Sequence, residues 1–171
     1  MLSSKLFPWQ KNKKKKTIYN KKKNEELIQE LKSEGIVNEK ILTAIRMVPR
    51  ELFTEKLDEA YENKALSVGC GQTLTQPFCT AYMASFLNLR ETDNILDIGC
   101  GVGWSTAVIS KLCKTVFAME RFKKLLDIAK KILQNLKLKT FNLNLGTDLK
   151  DGEIKPCLMQ LLLVRLRKLF R

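Results

Sequence analysis

The stretch NILDIGCGVGWSTAVISKLC, residues 94–113, constrains the fold more than any other part of the sequence. A short apolar run enters three glycines at alternate positions, after which apolar residues recur at helical spacing. TVFAME (115–120) is a second short β-type run, KKLLDIAKKILQNL (123–136) a second amphipathic helix, and FNLNLGTD (141–148) a third strand. The order strand, glycine loop, helix, strand, helix, strand predicts an α/β fold, the βαβαβ half of a doubly wound parallel sheet.

Two further segments precede this unit. Between Asn24 and Met47, apolar residues fall at helical spacing and are interrupted by Gly35, which predicts two N-terminal helices joined by a turn. Residues 66–77, LSVGCGQTLTQP, carry glycine and proline and are predicted to form a loop. A helix is expected over FCTAYMASFLNL (78–89).

The positive charge of the chain lies almost entirely at its two ends. Residues 1–23 hold nine lysines and residues 155–171 five basic side chains, with no acidic residue in either, so the net charge between them is −1. We predict that residues 1–23 form a basic, disordered leader followed by a single domain over residues 24–171. Contact of the leader with phosphates or an anionic membrane is the alternative, and nucleic acid is not expected as the main partner. No apolar segment follows the lysines, so a secretory signal is not expected.

The chain has five cysteines and no histidine. Because Cys70, Cys79, Cys100, Cys113 and Cys157 form no CxxC pair, neither a metal site nor a disulfide framework is expected. Reduced thiols favour a cytoplasmic protein. The absence of histidine favours a reaction that needs little proton transfer.

The glycine cluster predicts a nucleoside ligand without phosphates. Gly99, Gly101 and Gly103 follow the pattern GxGxG, which lets a ligand pass close to the backbone but lacks the anion site of GxGxxG. Glu120 ends the second strand, where a carboxylate can accept hydrogen bonds from both ribose hydroxyls, and Asp97 adds negative charge before the glycines. These features fit S-adenosylmethionine (SAM), whose sulfonium is a cation. The alternatives are glycines that serve helix packing and a solvated strand end at Glu120.

Several motifs together carry a resemblance to one family. The motifs are RMVPRELF (46–53), AYENKALSVGCGQTLTQP (60–77), NILDIGCGVGWSTAVIS (94–110) and VFAMER (116–121). Their order and spacing resemble those of protein-L-isoaspartate O-methyltransferases, which methylate abnormal isoaspartyl residues for protein repair. The segment from residue 24 to 156 resembles this family. The element GQTLTQP (71–77) is not a general feature of methyltransferases.

The resemblance implies a Rossmann-like SAM-dependent methyltransferase fold and assigns residues to two sites. Thr75 stands where the family has an active-site hydroxyl residue, normally Ser. The substrate loop would include Gln72, Thr73, Gln76 and Pro77, and SAM would contact Asp97, Gly99, Cys100, Gly101, Gly103, Glu120 and Asp148. The substrate would be isoaspartyl-containing proteins, whose ionised carboxylate attacks the sulfonium methyl in line without a general base or metal. A monomer that does not bind membranes is expected, although an ordinary capping role for Thr75 remains the alternative.

The final residues, 157–171, depart from the family pattern. The chain has seven arginines and three of them lie in its last seven residues. Codons for Cys-Leu-Met-Gln-Leu-Leu, read two bases on, can encode Phe-Asp-Ala-Ile-Ile, which resembles the family's fourth strand, so we expect a frameshift near Pro156 and an aberrant, truncated tail. The tail is predicted to supply a substitute strand or a short helix, since it is too short and too basic to span a membrane.

The expected truncation would affect the sheet, the stability and the activity of the whole chain. The sheet would be incomplete in its C-terminal half, the first strand, at 94–98, would be an exposed edge, stability would be poor, and methyl transfer would be weak or absent. Two rival readings stay open: a SAM-binding remnant without catalysis, and a methyltransferase for another substrate whose lysine leader contacts RNA.

Overall fold

The computed structural model describes residues 20–136, 138, 141–145 and 162–166, the last two ranges by their backbone alone. The remaining residues, among them most of the predicted leader, Asp148, Cys157 and the proposed frameshift position at Pro156, lie outside the described ranges. A short 3₁₀ helix spans Arg50–Phe53. The other elements are α1 (Lys21–Ser33), α2 (Glu39–Met47), β1 (Leu66–Gly69), β2 (Gln72–Leu74), α3 (Pro77–Leu87), β3 (Asn94–Ile98), α4 (Trp104–Ile109), β4 (Thr115–Glu120), α5 (Lys123–Asn135), β5 (Phe141–Leu145) and β6 (Leu162–Leu166).

The predicted N-terminal helix pair is confirmed, with a different start. Asn20 caps α1 by accepting the backbone N–H of Lys23 at 3.0 Å, so the helix begins inside the segment predicted as leader. Its end is fixed by Gly35, whose φ of +97° is left-handed. The N–H of Ile36 then returns to the carbonyl of Leu31 at 3.0 Å, and both side chains are buried.

The segment predicted as a loop at residues 66–77 instead contains an antiparallel hairpin. Strand β1 pairs with β2, with Leu66 opposite Leu74. The chain reverses through Gly69, Cys70 and Gly71, all at positive φ, which glycine adopts without strain and which Cys70 also adopts here. In β1, Leu66 and Val68 are buried while the intervening residue is exposed, the alternation of a half-buried strand.

The larger sheet confirms the α/β prediction and corrects one part of it. Its strand order is β5-β4-β3-β6. Strands β3, β4 and β5 are parallel, as the βαβαβ pattern predicts, but β6 runs antiparallel beside β3. The final segment therefore supplies a substitute strand, the sheet is mixed, and β3 is an inner strand where an exposed edge was expected.

Helices cover this sheet and form one core with the N-terminal pair. Helix α4 packs on β4, α5 packs on β4 and β5, and α2 packs against α3 and α4. Among the described residues, Trp104 at the start of α4 is the largest fully buried side chain. None of the described helices is both long and apolar enough to cross a bilayer.

Candidate active site

The glycine loop between β3 and α4 is anchored to the neighbouring strand. The backbone N–H groups of Gly99 and Cys100 both donate to the carbonyl of Met119, at 2.8 and 3.1 Å. Gly99, Gly101 and Gly103 have φ values of +81°, +57° and +92°, so all three positions favour glycine. The loop therefore lies at the carboxyl ends of β3 and β4, where ligands bind in parallel α/β sheets.

Glu120 closes this loop from the end of β4. Its Oε2 accepts the N–H of Gly101 at 2.8 Å, and its Oε1 accepts the N–H of Phe122 at 2.8 Å. The side chain is only 4% exposed, which contradicts a solvated strand end. Each carboxylate oxygen has more than one acceptor site, so the group can hold the loop and still accept hydrogen bonds from a ligand.

Asp97 is a fully buried acid on β3, immediately before the loop. Its Oδ2 accepts the hydroxyl of Thr106 at 2.6 Å, whereas Oδ1 has no hydrogen-bond partner among the described residues. Burial raises the pKa of Asp97 to about 6; the Thr106 hydrogen bond opposes this rise and the charge of Glu120 adds to it. A buried oxygen without a hydrogen-bond donor destabilises the fold, so Oδ1 of Asp97 is a position where a ligand could donate a hydrogen bond.

Gly103 and Cys100 are both closely packed residues of the glycine loop. A Cβ added at Gly103 would lie 3.1 Å from Leu133 Cδ1 and 3.2 Å from Ala129 Cβ, so this glycine lets α5 pack closely. This contact agrees with the packing alternative for Gly103, and its predicted contact with SAM stays a prediction. Cys100 is buried, and burial raises the pKa of its thiol far above the ordinary range, so the side chain stays a neutral thiol.

The predicted substrate loop runs from β2 into α3. Gln72 and Thr73 lie in β2, Gln76 is the N-cap residue of α3, and Pro77 is its first residue. The side chain of the N-cap residue Gln76 makes no capping hydrogen bond; instead Asn63 Oδ1 accepts the N–H of Phe78 at 2.9 Å. The capping alternative for Thr75 is thus not supported by the geometry.

Other contacts fix the substrate loop in place. The side chain of Gln76 donates to the carbonyl of Asn63 at 2.9 Å. The carbonyl of Thr75 accepts Nη2 of Arg50 at 2.8 Å. Thr75 itself is half-buried, which leaves part of it open to solvent.

Three residues at the site were not identified from the sequence alone. Thr106 donates to Asp97, Arg50 binds the carbonyl of Thr75, and Trp104 packs against the guanidinium of Arg50. Arg50 and Trp104 lie inside the quoted motifs, and their presence in those motifs is the only signal that the sequence offers for them. Among the described residues, no group of acids and cysteines could hold a metal ion, and the four described cysteines are free.

Comparison with protein families and curated relatives agrees with this geometry. The family model "Protein-L-isoaspartate(D-aspartate) O-methyltransferase (PCMT)" matches residues 21–154. The protein-L-isoaspartate O-methyltransferase of Dictyoglomus thermophilum is 41% identical over 126 residues, covering 72% of this chain and 57% of that protein. That of Aliivibrio fischeri is 42% identical over 135 residues, covering 78% and 65%. The chain thus spans between about half and two thirds of the length of these curated relatives.

Two solved structures have the same fold. A protein-L-isoaspartate O-methyltransferase aligns with a TM-score of 0.66 and 29% identity, over 72% of this chain and 42% of that one. A Plasmodium falciparum protein described as a putative member of the same enzyme class, in complex with S-adenosyl-L-homocysteine, aligns with a TM-score of 0.65 and 20% identity, over 76% and 66%. The second likeness concerns the fold alone.

Proposed function

Because the chain belongs to the protein-L-isoaspartate(D-aspartate) O-methyltransferase family, we propose that it transfers a methyl group from SAM to isoaspartyl residues of damaged proteins. The observation that carries this proposal is the pair of buried acids, Asp97 and Glu120, at the glycine loop. Asp97 Oδ1 has no hydrogen-bond partner among the described residues, and Glu120 holds the loop through Oε2 while its Oε1 accepts the N–H of Phe122.

The residues around the loop fit SAM. Asp97 and Glu120 would provide acceptors for the hydroxyl and ammonium groups of the ligand, and their charges favour a cation. Gly99, Cys100 and Gly101 would form the backbone surface on which it lies, while Gly103 keeps α4 and α5 close. When bound, SAM supplies an electrophilic methyl group on its sulfonium.

The substrate loop would hold the acceptor carboxylate. Thr75 carries the hydroxyl that can donate to it, and Gln72, Thr73, Gln76 and Pro77 form the adjoining backbone and side chains. An isoaspartyl carboxylate is already ionised at neutral pH, so the residues of this chain need only orient it and exclude water. The absence of histidine from the sequence is compatible with such a reaction.

The proposal has three further parts. Asp148, which lies outside the described residues, would contribute to the adenine side of the cofactor site. The protein would act as a cytoplasmic monomer, where its free thiols remain reduced. The lysine-rich N-terminal segment would be a solvated leader and not a nucleic-acid site.

Methyl transfer to a synthetic peptide tests the proposal directly. The purified chain is incubated with SAM labelled on its methyl group and an isoaspartyl peptide, and the control is the same peptide with an ordinary aspartyl residue. Base-labile methyl ester on the isoaspartyl peptide alone is the expected result. Calorimetric titration with S-adenosylhomocysteine accompanies the assay. Binding without transfer would leave a SAM-binding protein and remove the enzymatic proposal, and absence of both would overturn the whole assignment.

A further inference from the structure

Arg50 is buried at the centre of the segments that carry the two proposed sites. Its side chain is fully inaccessible to solvent, yet none of the ion pairs in the described part of the chain includes it. Its partners are backbone carbonyls: Nη1 donates to Ala60 at 2.9 Å and to Glu62 at 3.5 Å, and Nη2 donates to Lys64 at 3.1 Å and to Thr75 at 2.8 Å. The guanidinium of Arg50 thus binds the segment that precedes the β1–β2 hairpin, residues 60–64, and also Thr75, which follows the hairpin.

The guanidinium of Arg50 also contacts the first residue of α4, which directly follows the glycine loop. Its Cζ atom is 5.0 Å from the centre of the Trp104 ring, within the range of a cation–π contact. Trp104 follows Gly103 directly and begins α4. Its ring is fixed by a second contact, since Nε1 donates to the carbonyl of Val48 at 3.3 Å.

The carbonyls and the Trp104 ring around Arg50 stabilise its buried positive charge. Burial lowers the pKa of Arg50 to about 9, so the guanidinium stays protonated at neutral pH. A buried cation needs acceptors for its N–H groups, and here backbone carbonyls accept from Nη1 and Nη2, while Nε has no hydrogen-bond partner among the described residues. The aromatic face of Trp104 adds a further contact to the charge. A change in the position of Trp104 therefore acts on a group that holds Thr75 by a charge-assisted hydrogen bond.

We infer that Arg50 is a positioning residue that couples the glycine loop to the substrate loop, with Trp104 as the contact between them. Ligand that orders residues 99–104 would thereby order the β1–β2 hairpin and Thr75, so that cofactor binding prepares the substrate site. The inference rests on the proposed function for the identity of the ligands. The coupling itself rests on the contacts of Arg50 and can be measured in the ligand-free chain.

Hydrogen exchange of the full chain, followed by mass spectrometry, measures this coupling. Arg50→Lys keeps the charge but cannot donate to carbonyls in several directions from one plane. We expect exchange of residues 66–75 to become at least about tenfold faster, with α1 much less affected. Trp104→Leu, which removes the ring, should accelerate the same segment. The matched control is Arg46→Lys, because Arg46 binds Glu25 at 2.9 Å in a half-exposed ion pair that lysine can keep.

The same hydrogen-exchange measurement is repeated in the presence of S-adenosylhomocysteine. In the unaltered chain this ligand should slow exchange in residues 99–110 and also in residues 66–75, whereas in Arg50→Lys it should slow only the first segment. Unchanged exchange of residues 66–75 in Arg50→Lys and Trp104→Leu, or equal acceleration across every peptide, would overturn the inference. If S-adenosylhomocysteine slows neither segment of the unaltered chain, the proposed function fails, and the ligand-free comparison still decides the coupling.

Discussion

The carboxylate of Glu120 accepts the backbone N–H of Gly101 at 2.8 Å and so joins the end of β4 to the middle of the glycine loop. Its other oxygen accepts the N–H of Phe122 at 2.8 Å. Two backbone donors on different segments thus meet the two acceptor oxygens of one side chain. The same side chain therefore stabilises the fold and provides the acceptors proposed for the ligand.

Replacing Glu120 with Gln tests both roles. The amide presents one oxygen and one NH₂ group, so one of the two backbone N–H groups faces a donor. We expect a loss of about 1–3 kcal/mol in the free energy of unfolding and at least about tenfold weaker binding of S-adenosylhomocysteine. Urea unfolding and calorimetric titration measure the two effects. Glu91→Gln is the control because Glu91 is exposed; equal affinities in the two variants would contradict the assignment of Glu120.

Asp97 predicts a specific dependence of stability on pH. Its pKa is raised from 3.8 to about 6 in the folded chain, so the folded state binds more protons than the unfolded state between these values. The stabilising contribution of the protonated form is fully present below pH 4 and is lost as the pH rises through 6. Between pH 5 and pH 8 this group should lower the free energy of unfolding by roughly 1 kcal/mol.

Asp97→Asn should remove that dependence, because an amide does not titrate and can still accept the Thr106 hydroxyl. The variant is expected to be more stable relative to the unaltered chain at pH 8 than at pH 5, while losing affinity for S-adenosylhomocysteine. Denaturant unfolding at the two pH values gives the comparison. Thr106→Val should shift the transition to higher pH, since the hydrogen bond from Thr106 lowers the pKa of Asp97. A constant difference between Asp97→Asn and the unaltered chain at both pH values would refute this account.

Alanine substitutions at Gly103 and Gly71 distinguish the cost of backbone strain from the cost of close packing. Both have left-handed φ values, +92° and +68°, so alanine at either position should cost about 1–2 kcal/mol from conformation alone. A Cβ at Gly103 also meets Leu133 Cδ1 at 3.1 Å and Ala129 Cβ at 3.2 Å, while a Cβ at Gly71 meets nothing within 4 Å. Gly103→Ala should therefore be destabilised by about 1–3 kcal/mol more than Gly71→Ala in urea unfolding. Equal losses would mean that α5 moves aside freely.

Much of the fold could be predicted because hydrophobic periodicity is a local property. Strands β3, β4 and β5 and helix α5 follow directly from short apolar runs and helical spacing. The glycines at residues 69 and 71 predict a loop, whereas the structure has a hairpin over residues 66–74 in which buried Leu66 and Val68 alternate with an exposed residue. The direction of β6 could not be predicted, since pairing with β3 depends on tertiary contact and not on the pattern of the strand itself.

The sequence indicated the two buried acids of the candidate site but not the residues that contact and support them. Asp97 and Glu120 stand at strand ends, where position alone indicates a ligand role. Arg50 binds a carbonyl 25 residues away in the sequence, and Trp104 one that is 56 residues away. Such contacts leave no local pattern, so arginine and tryptophan inside a motif indicate little until the fold brings their partners together.

Substitutions at Thr75 should affect the proposed binding of substrate and leave the proposed binding of cofactor unchanged. Its carbonyl is fixed by Arg50 at 2.8 Å whatever its side chain, so substitution there should leave the loop in place. Thr75→Val keeps the shape and removes the hydroxyl. If that hydroxyl donates to the substrate carboxylate, methyl transfer should fall by about tenfold or more, the effect of one lost charge-assisted hydrogen bond, with binding of S-adenosylhomocysteine unchanged. Thr75→Ser keeps the donor and should retain activity, since the smaller side chain only relaxes the rotamer restriction. Methyl transfer to the isoaspartyl peptide, measured beside calorimetric titration, distinguishes these outcomes, and full activity in Thr75→Val would show that the backbone of the loop, and not this hydroxyl, positions the substrate.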